Sequence, residues 1–168
     1  MAKRLDMKEL TSLSKKQYPK KEVLINIEDK EFTVKIETLF KKSEVQELIK
    51  EWLEIREACE KANIQVNMYD ISFILILKHF TDIPFEEQSD MLKQTEHYIR
   101  MTNLLVDIKD SEGTSLFQKV FAEIDPNEIK KISVAMSKVS EDIYREIESF
   151  ENSEEYKKLM ESIGEEVE

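Results

Sequence analysis

Glycine is nearly absent from this sequence: Gly113 and Gly164 are the only two in 168 residues. Phosphate-cradling loops, dinucleotide fingerprints and nucleophile elbows all need glycine for positive φ or close backbone approach. A P-loop and a Rossmann fingerprint are therefore excluded, and the common α/β enzyme folds are disfavoured. A single cysteine, Cys59, leaves no partner for an internal disulfide and fits a reducing compartment. Long apolar runs are missing too. The longest, Phe73 to Leu77, falls far short of the roughly 20 residues that span a bilayer. The basic start MAKRLDMKELTSLSKKQYPKK is followed by no apolar segment of the kind a secretory signal carries. The chain reads as soluble, without a membrane partner, and cytoplasmic.

What is abundant is charge. Net charge is −11, and charged residues make up 36% of the chain. Residues 1–42 hold 11 Lys/Arg against 7 Asp/Glu, net +4, and residues 43–168 hold 14 against 29, net −15. So acidic a body repels phosphate backbones, so nucleic acid is not the expected partner. The basic start is available to pair with an acidic tail on a neighbouring copy.

Residues 1–21 lack sustained periodicity and read as a flexible basic arm, with a helical turn around Met7–Leu13. The next segment, EVLINIEDKEFTVKIE, alternates: Val23, Ile25 and Ile27 on one run, Phe32, Val34 and Ile36 on the returning run. Two alternating runs split by a polar turn predict an antiparallel hairpin over 22–37 with one apolar face. The turn lacks Asn-Gly or Asp-Gly, which predicts a longer type I connection over a type I′ one. A lone hairpin is marginal in water, so it must lie on the helices or join a neighbour's sheet.

From residue 43 the period becomes helical. Ser43 and Gln46 have capping-box spacing, and Val45, Leu48, Ile49, Trp52 and Leu53 make a stripe that carries a helix to about Lys61. Asn67 or Asp70 caps a second helix through ISFILILKHF, apolar nearly all round and therefore central. Asp82 and Pro84 read as the start of a third, with Phe85, Leu92, Ile99 and Val106 buried. A short helix follows KDSEGTS. Asp125-Pro126-Asn127-Glu128 starts a long one, with Ile129, Ile132, Met136, Val139, Ile143 and Phe150 near heptad spacing. The fold class is mainly α (α+β): an N-terminal hairpin on a bundle of about four to five helices. Residues 22–150 form a single domain and 151–168 an acidic tail.

Candidate chemistry is sparse. His79, Asp82 and Glu86 would share a face of a continuous helix, a possible ligand set, but Pro84 argues against continuity. The acids are equally explained as a cap and first-turn glutamates. His97 sits among polar residues, and Cys59 lies between acids that discourage a thiolate. No catalytic, metal or cofactor site is expected, and the chain does not read as an enzyme. An exposed strand edge and an apolar helix face invite other chains. The candidate partner-binding residues are Val23, Ile25, Ile27, Phe32, Val34, Ile36, Ile132, Met136, Val139 and Ile143.

The order of basic leader, apolar hairpin VLINIEDKEFTVKIE, acidic helices and the block ILILKHFTDIPFEE resembles small structural-module proteins of tailed phages of Gram-positive bacteria. It is most similar to their tail assembly chaperones, across about residues 22–110, with His79 to Phe85 carrying most of the likeness. That resemblance implies a mostly helical, non-enzymatic homo-oligomer. Its partner would be a phage tail protein, such as the tape measure or a tube subunit. A second expectation comes from charge alone: an acidic inhibitor or DNA mimic that blocks a host nucleic-acid enzyme.

Overall fold

Alternation becomes strand where predicted, and the hairpin forms from β1 (Lys20–Ile27) and β2 (Lys30–Glu37). The pairing sets Val23 opposite Val34 and Ile25 opposite Phe32, which gathers the apolar residues on one face. The structure is a computed structural model that describes residues 6–151, without the side chains of residues 15, 143, 144 and 146–151. Among the described residues, α1 (Met7–Gln17) precedes the hairpin. It is followed by α2 (Lys42–Lys61), α3 (Met68–Phe80), α4 (Met91–Asp107), α5 (Leu116–Phe121) and α6 (Pro126–Glu151). The fold is therefore α+β, a two-stranded hairpin against helices. The chain divides into two units, one ending at Ile129 and one beginning at Lys130.

The first unit centres on α3. Ile71, Ile74, Leu75, Ile76, Leu77 and Phe80 are all buried, matching the apolar sequence around the whole helix. Helices α2, α3 and α4 pack on one another, α5 packs on α4, and β1 meets α5. Leu48 and Ile55 bring α2 into this core, and Phe40 stacks on Phe80 where the hairpin runs into α2. Each fully buried Leu or Ile contributes about 1.5–3 kcal/mol, so this cluster dominates the stability of the unit.

Several local expectations are overturned. The hairpin turn is a two-residue connection with Glu28 and Asp29 both at positive φ (47° and 61°), the signature of type I′. Strand twist favours that geometry strongly enough to override the missing glycine, and Asp tolerates it. Residues 7–17 form three turns of helix, capped by Asp6 accepting from the Glu9 N–H, where only one turn was expected. Ser43 does not cap α2, because the helix begins two residues earlier than such a cap would set it, and its N-cap, Lys41, makes no side-chain capping bond.

The third predicted helix is the largest correction. Residues 82–88 are irregular, and α4 begins only at Met91, behind Asp90, whose carboxylate accepts the Lys93 N–H at 3.0 Å. Pro84 keeps Ile83 out of the helical region, and Asp82 is claimed by β2 instead of by a helix. The buried side of α4 shifts accordingly. Gln94, Thr95, Tyr98 and Leu105 are buried, whereas Ile99 and Val106 are exposed and Leu92 and Phe85 are half-buried. Polar side chains face inward because the segment before the helix needs them. Gln94 Nε2 donates to the Glu86 carbonyl and its Oε1 accepts the Gln88 N–H.

Later starts match expectation. Asn67 caps α3, Ser115 and Gln118 form a capping box on α5, and Asp125 accepts the Asn127 N–H at 2.8 Å at the start of α6.

Candidate functional site

The two edges of the hairpin differ. Backbone groups of alternate residues point away from the partner strand, and on β2 Lys35 is one of these. Its N–H donates to Asp82 Oδ1 at 2.7 Å, and its carbonyl accepts the Asp82 N–H at 3.1 Å. Thr81 bridges to Ile36 beside it. Residues 81–82 thus act as a short third strand against Lys35 and Ile36, while among the described residues nothing bonds the outward backbone groups of Glu31 or Thr33.

On β1 the outward residues are Lys20, Glu22, Leu24 and Asn26. Among the described residues only the last is engaged, its carbonyl accepting the Ser111 N–H at 3.1 Å. Among the described residues, nothing bonds the outward backbone groups of Glu22 or Leu24. Leu24 is also 55% exposed, on the face away from the core. Its outer-face neighbours form cross-strand ion pairs: Lys20 with Glu37 at 3.3 Å and Lys35 with Glu22 at 3.6 Å.

The sequence-derived partner residues fall in three places. Val23, Ile25, Val34 and Ile36 are buried in the core, Ile27 is half-buried, and Phe32 overhangs the turn end at 47% exposed. In the second unit Ile132 is buried and Met136 and Val139 are half-buried, while the Ile143 side chain lies outside those described. The accessible part of the hairpin is thus its β1 edge rather than its apolar face. Leu24 was missed, although an apolar residue at a polar-face position of the alternation is a signal for it.

A polar cluster ties the three central helices. Glu51 on α2 accepts from Lys78 Nζ at 2.8 Å and from the Tyr98 hydroxyl, and its other oxygen meets His79 Nε2 at 2.9 Å. Lys78 also donates to the Tyr98 hydroxyl at 2.7 Å and pairs with Glu87 at 3.0 Å. Burial pushes the Glu51 carboxyl up, but hydrogen bonds from His79, Lys78 and Tyr98 outweigh it and hold the group at about 2. Burial and the Glu51 carboxylate raise the Tyr98 hydroxyl. Burial would lower Lys78, yet bonds to Glu51, Tyr98 and Glu87 keep it above the usual lysine value. Glu51 and Tyr98 are thereby held away from the near-neutral pKa that efficient proton transfer favours. The cluster joins α2 to α3 and α4 as a charged clasp.

His79, Asp82 and Glu86 are drawn to different partners: Glu51, the Lys35 backbone and solvent. His97 is half-buried, with Nε2 accepting the Glu86 N–H at 3.3 Å, and Cys59 is buried. Among the described residues no group of three or more His, Cys, Asp or Glu is placed to hold a metal ion. No helix there is long and apolar enough to cross a membrane. A cleft of about 200 Å³ beside α3 and α4 is lined by Asn67, Asp70, Ile99 and Thr102. Asn67 is already the cap of α3, and its amide donates to Asp70.

The fold and this geometry define a small helical α+β protein whose first unit holds a closed polar clasp at its centre and, among the described residues, a strand with open backbone groups at its margin. The YomO family model matches residues 7–168, and the chain belongs to that family, a phage-like family of Bacillus prophages. No curated protein and no solved structure matches it.

Proposed function

We propose that this YomO-family protein is a non-enzymatic assembly protein of the phage. It self-associates and holds an apolar helical segment of a tail protein, of tape-measure or tube-subunit type, in the host cytoplasm. The tail-assembly chaperone role follows from the resemblance in residues 22–110. The observation that carries the reading is the open outer edge of β1 with Leu24 exposed beside it, since an unpaired edge is a template for another chain. Met136 and Val139, half-buried on α6, add a helical face of the same apolar character.

The test is co-purification of the full chain with the tail-tube and tape-measure proteins of the same prophage, expressed together. Apolar and strand-edge contacts survive a wash at about 0.5 M salt, far beyond strong screening of surface charges. Retention of a tail protein through that wash supports the reading. A partner lost as salt rises, above all a nucleic-acid enzyme, favours the acidic-mimic alternative. Retention of neither tail protein overturns the proposal.

A further inference from the structure

We infer that the free edge of β1 pairs with β1 of a second copy, antiparallel about a two-fold axis, with Lys20 of each chain opposite Glu22 of the other. The inference rests on the assembly reading and gives self-association a place and a register. The stretch open to a partner is short. It ends on one side at Asn26, whose carbonyl is taken by Ser111, and on the other at Tyr18, whose N–H closes α1 onto the Ser14 carbonyl. Between them lie Lys20, Glu22 and Leu24, the outward residues of β1.

Charge selects among the two-fold registers this stretch allows. Centring the pair on Glu22 sets two glutamates face to face, each already paired with Lys35 of its own chain, and sets Lys20 against Leu24, so no opposite charges meet across the seam. Centring it on Val23 sets Glu22 against Leu24. Centring it on Lys21 sets Lys20 against Glu22 twice. The existing pairs of Lys20 with Glu37 and Lys35 with Glu22 then extend into the partner. Each row across the four strands reads Glu37, Lys20, Glu22, Lys35, alternating in sign throughout. The two Lys21 residues meet on the opposite face, but each is already paired with Glu123 of its own chain. Lysines on an edge strand ordinarily discourage pairing, and here the two-fold supplies their counter-charges. Proline at 19 does not interfere, because its carbonyl faces β2 and accepts the Thr38 N–H.

Sedimentation velocity on the full chain, with far-UV circular dichroism as the check on folding, tests this. The wild-type chain should be dimeric. Glu22→Pro removes an outward N–H, which an edge strand tolerates, together with the exposed Glu22–Lys35 ion pair, so it should keep the native spectrum and lose the dimer. Lys20→Glu and Glu22→Lys should each lose the dimer, and mixing the two single variants should restore it as a heterodimer, because both pairs across the seam are then again of opposite sign while neither chain carries more than one altered charge. Restoration cannot come from misfolding, so it isolates the register. A monomeric wild-type chain, a dimer that survives Glu22→Pro, or a mixture of the two single variants that stays monomeric would each overturn the pairing. The readout is the mass of the chain alone. A monomer that still retains a tail protein sinks the pairing and spares the assembly reading, and a dimer that retains none does the reverse.

Discussion

The clasp at the centre of the first unit and the hairpin at its margin meet the same requirement in opposite ways. Around α3, buried polar atoms are answered within the chain: Glu51 by Lys78, His79 and Tyr98, and Gln94 by the backbone of residues 86 and 88. The hairpin carries the same demand along two edges and meets each only in part: Asp82 takes both groups of Lys35 on β2, and Ser111 donates to the Asn26 carbonyl on β1. Burial explains the contrast. An unpaired buried group costs about 1–3 kcal/mol, while an exposed one borrows water at little cost and stays available. Stability is therefore concentrated around α3, and unpaired backbone groups along the hairpin's margin, among the described residues.

Substitutions at the centre should be felt most. Leu75→Ala, at a fully buried position, should cost about 4 kcal/mol through lost burial and the cavity left behind. Urea denaturation reads it, and a loss under 1 kcal/mol would mean that the core is not centred on α3. Val34→Asp places a charge on the buried face of the hairpin and should cost about 3 kcal/mol. An unchanged circular dichroism melt would contradict the register. Glu51→Gln should cost about 2 kcal/mol at neutral pH, since it weakens bonds to charged partners. The clasp also predicts a pH dependence. Glu51 is depressed from 4.5 to about 2, so its stabilisation is complete above 4.5 and is lost as pH falls towards 2. Stability of the wild-type chain should decline across that window, and the Glu51→Gln variant should decline less. Parallel curves for the two proteins would remove Glu51 as the titrating group.

What was legible in the sequence follows the same division. Alternation revealed the hairpin and its inner face, and the apolar run revealed α3, because both patterns record burial of side chains. The phase of α4 was misread because hydrophobicity favours Ile99 and Val106, whereas the protein buries Gln94, Thr95 and Tyr98 to serve the irregular segment and the clasp. Asp82-Ile-Pro84 has the composition of a helix start, and only the backbone of Lys35, 47 residues away in sequence, makes it an edge strand. The clasp joins residues 51, 78, 79 and 98, a spacing that no local window detects. An edge left open by backbone groups writes no side-chain period at all, so Leu24 alone marked it.

Capping gives a smaller effect. Asp125→Ala should cost about 1 kcal/mol through the lost bond to the Asn127 N–H, and an unchanged melting temperature would deny that residue its role at the start of α6.

The smallest expected effect on folding separates the two regions most sharply. Leu24→Asp replaces an exposed side chain on the outer face of β1 and leaves the pairing with β2 intact, so stability should change by no more than about 0.5 kcal/mol. Any binding that uses this edge should nevertheless suffer, because the new carboxylate lies two residues from Glu22 on the same face and has no cation opposite it. A variant that melts like the wild type and loses its partner in the high-salt co-purification would place function at the margin and stability at the centre. If the variant melts well below the wild type, Leu24 belongs to the core after all. Should it retain the partner instead, the binding surface lies elsewhere, with half-buried Met136 and Val139 of α6 next to test.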